Sequence, residues 1–233
     1  MISSVVIAFG HRARSGKDTA ANEIIKQRGL LDPMATTLGG PQERYDIRKY
    51  GFADCLKREV TNLARKAGGM EKLFAPEYCF PKKGYVVTLP EWVTYDPNPD
   101  MSDPLCPLGK QRKLLQWYGS DYRRADDDTY WIRQLEQTIE LEKPQIAILS
   151  DLRFPNEMTW TLQYGEAVRV DRAGFPPSTH LSETALEDST DWSLILENSG
   201  TLEDFLVGAV TAFDELLLNF PQQRNARQAL GII

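Results

Sequence analysis

The run Phe9-Gly10-His11-Arg12-Ala13-Arg14-Ser15-Gly16-Lys17-Asp18-Thr19 is the part of the chain whose residue types and spacing are most suited to chemistry. A continuous β-branched stretch, Ser3 to Phe9, leads into it, and a helical stretch, Lys17 to Arg28, stopped by Gly29, leads out. Between a buried strand and a helix, backbone N–H groups of a Gly/Ser/basic loop point inward and cradle a phosphate chain. Gly16 allows close approach of the backbone, and Lys17 would bridge the β- and γ-phosphates of a nucleoside triphosphate. Arg12 and Arg14 add positive potential beside Ser15. The run departs from the template G-x-x-x-x-G-K-[ST] at two places. His11 stands where glycine is required, with Gly10 one residue early, and Asp18 stands where Ser or Thr would bind Mg²⁺. Asp18 is therefore expected at the metal, directly or through water, and Thr19 at an α-phosphate. The bland alternative is a glycine turn ending in an exposed lysine; a strand before and a helix after argue against it.

A second cluster closes another apolar strand, Ile146-Ala147-Ile148-Leu149, which ends in Ser150-Asp151-Leu152-Arg153. A carboxylate at the carboxyl edge of a parallel sheet would lie beside the phosphate loop and hold Mg²⁺ through water, the role expected of Asp151. Arg153 could grip an acceptor phosphate with both guanidinium arms. An ordinary polar strand end with a local ion pair is the alternative for either residue taken alone.

These residues need elements to hold them. Further helices are expected over Ala53–Ala67, near Arg112–Tyr118 and near Tyr130–Leu141, and a third strand at Ala167–Val170. Leu202, Phe205, Leu206, Ala209, Val210, Phe213, Leu216 and Leu217 follow the i, i+3, i+4, i+7 stripe of a core-facing last helix, and the chain beyond Pro221 is expected to be partly ordered at best. Strands alternating with helices imply an α/β fold, a mainly parallel sheet with helices on both faces. Between about 70 and 110 lies half of the chain's 14 prolines, and that segment reads as an inserted irregular excursion, hairpin-bearing around Gly84–Thr94, outside the core.

The bulk properties set the remaining limits. The chain has 233 residues, enough for one generous domain and its core, and 27 basic against 33 acidic side chains give a net charge of −6. That balance argues against a protein that coats nucleic acid through counterion release. No apolar run approaches the length of a membrane span, and Met1–Phe9 lacks the basic flank of a signal peptide. Three cysteines and two histidines are too few for a disulfide framework or a Cys/His zinc site. A soluble, intracellular, globular protein is expected.

Arg14-Ser15-Gly16-Lys17-Asp18-Thr19 resembles the phosphate loop of phage deoxynucleoside monophosphate kinases, including the aspartate after the lysine. Further segments follow in that family's order. Phe52-Ala53-Asp54-Cys55-Leu56-Lys57 is similar to F-A-D-P-L-K, with Cys55 in place of proline. Arg112 to Asp121 is similar to R-x-L-L-Q-x-x-G-T-D, with Tyr130-Trp131 downstream. Asp151 to Glu157 matches D-x-R-x-x-x-E, His180 to Glu183 resembles H-x-S-E, and Asn198 to Glu203 resembles N-x-G-[ST]-L-E. The resemblance spans most of the chain outside the proline-rich segment.

It implies a P-loop, NMP-kinase-like enzyme that uses ATP and Mg²⁺ to convert a deoxynucleoside 5′-monophosphate to the diphosphate for DNA synthesis, in the cytoplasm, or that of the host if the protein is viral. Neither nucleic acid nor membrane would be a direct partner, and a homodimer is left open. Lys17, Arg124, Arg153 and Arg172, with Arg123 as an alternative, would meet the transferring and acceptor phosphates; Arg172, after a strand, would lie near the donor nucleotide. Asp54, Lys57, Gln116, Ser120 and Glu157 would serve the acceptor, and Trp131 could stack on its base, although a helical tryptophan is more often a core residue. The polar segment about 120–130 reads as a lid or, equally, as a solvated connection. His180 and Glu183 could form a polar network, with an N-cap at Ser182 as the bland reading. Three rivals stand beside this: a kinase like dephospho-coenzyme A kinase, one like phosphomevalonate kinase, and a non-catalytic ATP-binding module.

Overall fold

A computed structural model describes residues 2–12, 14–29, 45–174 and 184–229. The expectations for His180, Ser182 and Glu183 lie outside them. In chain order the elements are β1 (Val5–Gly10), α1 (Lys17–Arg28), β2 (Ile47–Tyr50), α2 (Phe52–Ala67), β3 (Phe80–Lys82), β4 (Tyr85–Val87), α3 (Arg112–Gln116), α4 (Tyr130–Glu142), β5 (Ile146–Leu152), α5 (Pro155–Tyr164), β6 (Gly165–Asp171), β7 (Leu194–Glu197) and α6 (Leu202–Ala229). They divide into two compact units, Met1–Gly51 with Leu135–Ile233, and Phe52–Gln134.

The first unit carries a five-stranded sheet in the order β2-β5-β1-β6-β7. Its pairings are parallel, with Ile7 opposite Ile148 on one side and Glu166 on the other. The crossover from β1 through α1 to β2 runs one way across the sheet, and that from β5 through α5 to β6 runs the other. Right-handed connections therefore place α1 and α5 on opposite faces. On one face Ile7, Phe9, Ile148, Val168 and Val170 pack with Ala20, Ala21 and Ile24 of α1 and Phe205, Ala209 and Phe213 of α6. The alternate side chains Val6, Ala8, Ala147, Leu149 and Ala167 are also fully buried, with α5 lying on β1 and β6. This is the expected α/β fold, a mainly parallel sheet covered by helices on both faces. A chelated ion pair, Arg28 Nε and Nη2 to Asp214 at 2.8 and 2.6 Å, ties α1 to α6.

Two strands escape the sequence pattern. β2 reads Ile-Arg-Lys-Tyr and β7 Leu-Ile-Leu-Glu, both at sheet edges and both part-exposed, so neither shows the long apolar run of a strand buried on two faces. The last helix differs at both ends from the expected one. Leu202 is exposed rather than core-facing, because the first turn is spent on a cap: Thr201 Oγ donates to Asp204 Oδ2 at 2.6 Å and accepts from the Asp204 N–H at 3.1 Å. Beyond Pro221 the helix continues to Ala229. Proline's fixed φ suits a helix, and here its missing hydrogen bond does not end one.

The second unit has its own core, in which Val60 and Ala64 of α2 meet Leu114, Trp117, Tyr118, Tyr122 and Trp131. Met70, Leu73, Phe80, Val93 and Cys106 belong to the same core, so the proline-rich excursion is not merely peripheral. Prolines break its regular structure without keeping its apolar side chains out. The hairpin pairs Phe80 with Val87 and Lys82 with Tyr85, earlier than the expected Gly84–Thr94. Its two-residue turn needs the φ of +89° that Gly84 adopts. After Gln116 the helix widens into a π-helical stretch, Trp117–Arg124, so the first half of the 120–130 segment is not a loop. Tyr122 is buried there and stacks on Tyr118 with ring centroids 4.8 Å apart.

Candidate phosphate-binding site

β1 ends at Gly10, and the chain turns through two left-handed residues, His11 at φ +88° and Arg14 at φ +59°, before Gly16 at φ +110° opens α1. A Cβ on Gly16 would lie 2.7 Å from Asn198 Nδ2, so close approach as well as φ demands glycine here. That Asn198 amide donates to the Ser15 carbonyl at 2.7 Å, fixing the loop from the entry to α6. No side chain caps the N-terminus of α1, which leaves its first-turn amides directed at an anion. Asn198→Ala is expected to cost about 1 kcal/mol, one net hydrogen bond; thermal unfolding would check it.

Lys17 is 6% exposed. Its Nζ donates to the His11 carbonyl and to Ser15 Oγ, each at 3.3 Å, and to the Arg12 carbonyl. Burial and the charge of Arg153 push its ammonium down to about 8, against the opposing pull of Asp18 and Asp151. The loop, Asp18, Asp151 and Arg153 are thus electrostatically one group at the carboxyl ends of β1 and β5, where ligands bind in open parallel sheets. Arg172 joins them from the end of β6, donating to the Arg14 carbonyl at 3.4 Å. Thr19 is exposed on the first turn of α1.

Asp18 does not stand alone. Its Oδ1 accepts from Lys49 Nζ at 2.6 Å and from Ser150 Oγ at 2.7 Å. Desolvation pushes this carboxyl up, but those hydrogen bonds together with the charges of Lys49 and Lys17 outweigh it and hold the acid below its ordinary range. Neither Lys49 nor Ser150 was among the expected site residues. Lys49 was missed with its strand, and Ser150 was read only as the end of β5. Among the described residues no three His, Cys, Asp or Glu side chains gather to hold a metal by themselves. The oxygen donors of Asp18, Ser150 and Asp151 nonetheless suit Mg²⁺, which takes one or two carboxylates and completes its shell with water and substrate phosphates.

His11, in the glycine position of the template, is 7% exposed, with Nδ1 2.8 Å from Asp171 Oδ1 and Nε2 3.8 Å from Glu187 Oε2. Burial and Arg169 push the imidazole below its ordinary value, against the two carboxylates. Arg12 is held by both oxygens of Glu187. A cavity of about 280 Å³ beside the loop is lined by His11, Arg12, Ser15, Arg169, Arg172 and Glu197, among others.

Glu157 is 1% exposed and accepts the backbone N–H groups of Arg153 and Phe154 at 2.9 and 3.1 Å. Both bonds fall on Oε2, so Glu157 shapes the turn that presents Arg153. In the second unit Lys57 Nζ lies 3.4 Å from Asp54 and 3.2 Å from Asp103. Gln116 is exposed, and Ser120 and Arg124 are partly buried. Trp131 is 2% exposed and its indole N–H donates to the Gly119 carbonyl at 3.0 Å. It is a core side chain of that unit and offers no open ring face, against the expectation that it stacks on a base. Arg123 is taken by Glu59.

No helix among the described residues is long and apolar enough to cross a membrane. No family model matches the chain. It is 27% identical, over 117 residues, to a protein of Acanthamoeba polyphaga mimivirus described as "Putative deoxynucleotide monophosphate kinase". The match covers 44% of this chain and 61% of that protein, so it spans less than two thirds of the relative's length.

Proposed function

We propose that the chain is a deoxynucleoside monophosphate kinase, moving the γ-phosphoryl group of ATP onto a deoxynucleoside 5′-monophosphate. The observation that carries this is the gathering of Lys17, Asp18, Asp151 and Arg153 around an uncapped helix N-terminus at the carboxyl edge of the sheet. The nature of the acceptor is supported by the motif resemblance and by the viral relative's description.

In this reading Arg14, Ser15, Gly16, Lys17 and Thr19 hold the donor's phosphates, and the cavity beside His11, Arg169 and Arg172 takes its nucleoside end. Asp18 and Asp151, with Ser150, would hold Mg²⁺, which would supply charge neutralisation for the donor's phosphates. Lys17 follows the negative charge as it moves onto the leaving ADP oxygen. Arg153, set by Glu157, opposes the repulsion between two polyanions, and Arg124 and Arg172 join it at the transferring and acceptor phosphates. Asp54, Lys57, Gln116 and Ser120 are assigned to the acceptor. Little covalent work falls to the protein; positioning and charge stabilisation supply the rate. The whole chain then acts as one kinase domain, with about 70–110 an insertion and about 120–130 its lid.

Coupled ADP release with ATP and Mg²⁺ tests the proposal, run against deoxy- and ribonucleoside monophosphates, dephospho-coenzyme A and phosphomevalonate. Turnover confined to deoxynucleoside monophosphates is expected. Turnover with another acceptor, or none with ATP bound, would overturn it.

A further inference from the structure

Lys49 is a cation beside the phosphate loop to which the motif gives no task. It lies on edge strand β2, paired with Ile148 of β5, two residues before Ser150. Edge lysines commonly extend into water and discourage strand pairing. This one folds back over α1 instead, its side chain 31% exposed, with Nζ 2.6 Å from Asp18 Oδ1 and 3.2 Å from Asn22 Oδ1. Asp18 itself is 73% exposed.

The pairing answers a problem that the sequence creates. A template phosphate loop places a neutral hydroxyl after its lysine, whereas this chain places a carboxylate. Beside a triphosphate an uncompensated carboxylate repels the donor. Lys49 supplies the missing charge from a neighbouring strand. Its ammonium and the Ser150 hydroxyl converge on one oxygen, Oδ1, so a divalent cation binding that oxygen has to compete with the ammonium.

We propose that Lys49 is a positioning residue for the metal, acting through Asp18. It balances Asp18 while the loop is without metal, so that the donor can approach, and yields Oδ1 to the divalent cation in the nucleotide complex. The metal-binding strength of Asp18 is thereby set by a side chain on β2. The inference rests on the nucleotide-kinase reading through ADP as the probe.

The test is Mn²⁺ binding by electron paramagnetic resonance, which counts free metal, on the full chain loaded with ADP. It is paired with calorimetric ADP titration in the absence of metal and with the turnover assay. Lys49→Met is expected to bind Mn²⁺ about tenfold more tightly and metal-free ADP about tenfold more weakly. Lys49→Arg should stay near wild type in both, and a circular dichroism melt confirms folding of each variant. In an Asp18→Asn background the Lys49→Met change should leave Mn²⁺ affinity unaltered, because the effect passes through Asp18. Unchanged or weaker Mn²⁺ binding in Lys49→Met overturns the inference, as does an equal shift in the Asp18→Asn background. If Lys49→Met does not fold, Lys49→Gln carries the same comparison. A chain that shows the Mn²⁺ shifts but transfers phosphate to no deoxynucleotide keeps this inference and overturns the proposed reaction. One that binds neither ADP nor Mn²⁺ overturns both.

Discussion

Replacing Lys17 by alanine is expected to lower ATP-dependent transfer by about 10²–10³-fold, the range seen when one preorganised charge-stabilising donor is removed. The fold should survive. Lys17 is among the most buried charged groups of the first unit, and its three acceptors are loop atoms of residues 11 to 15. Steady-state kinetics on both substrates would check the claim: kcat should fall and the acceptor's KM should stay within a few-fold. A variant that keeps kcat and changes only the KM for ATP would mean that Lys17 holds the donor without following the transferred charge.

The same lysine predicts a dependence on pH. Its ammonium is at about 8 in the folded chain against an ordinary value of 10.5. A bound phosphate chain keeps it protonated, so ATP affinity should be flat below pH 8. Above pH 8 it should fall, by up to about tenfold per unit, until the pKa of the bound form is reached. Lys17→Arg should remove that slope, because guanidinium stays charged throughout. The stability consequence has the opposite sign. Between pH 8 and 10.5 the unfolded chain binds more protons at this site, so stability rises with pH there and the full penalty is present below pH 8. At pH 7, Lys17→Met keeps the stem and drops the charge, and should melt higher, by up to about 3 kcal/mol. The gain should shrink as the pH is raised through that window. A variant that is more stable and inactive would show that the buried charge is kept for binding.

The parts of this site that could be read in the sequence are those where one stretch of chain contains both the chemistry and its support. Ser3–Phe9 followed by Gly16-Lys17 is such a stretch, as is Ile146–Leu149 followed by Asp151 and Arg153, and the core strands and helices around them follow from apolar periodicity. The missed residues act across the sheet. Lys49 meets Asp18 because β2 lies beside β5 and α1 crosses over them, and no local pattern in Ile-Arg-Lys-Tyr encodes that. Glu157 is expected at the acceptor through the resemblance, and its Oε2 accepts two backbone amides. A capping acid and a binding acid look alike until the N–H groups are placed. The excursion at 70–110 was misjudged for a related reason: proline content reports on backbone regularity, whereas burial of Leu73, Phe80 and Cys106 depends on what packs against them.

The second large effect is expected in the other unit, at Glu59. Its Oε1 accepts from Tyr118 Oη at 2.7 Å and from Arg123, and its Oε2 from Tyr130 Oη at 2.9 Å. The Arg123 guanidinium in turn lies 5.3, 5.4 and 4.9 Å from the ring centroids of Tyr118, Tyr122 and Tyr130. One carboxylate of α2 thus ties down both the π-helical stretch and the start of α4. Glu59→Ala would strand two phenols and a guanidinium that is itself 32% exposed. Breaking a part-buried charged network from one side costs about 3 kcal/mol, because the groups left behind keep their desolvation penalty. Glu59→Gln keeps an oxygen acceptor and should cost about half as much. Burial, reinforced by the Glu59 contact, pushes the Tyr118 phenol above its ordinary value; loss of the carboxylate should bring its ionisation down, readable by ultraviolet difference titration. Melting of Glu59→Ala should therefore expose Tyr118, Tyr122 and Trp117 together, since these rings form one cluster with Phe80. Near-ultraviolet circular dichroism would report that loss directly. A variant with an unchanged aromatic signal and unchanged midpoint would show that apolar contacts alone hold the widened helix. In the expected outcome the π-helical stretch depends on a single acid, five residues along α2 from Asp54, and the midpoint falls by several degrees.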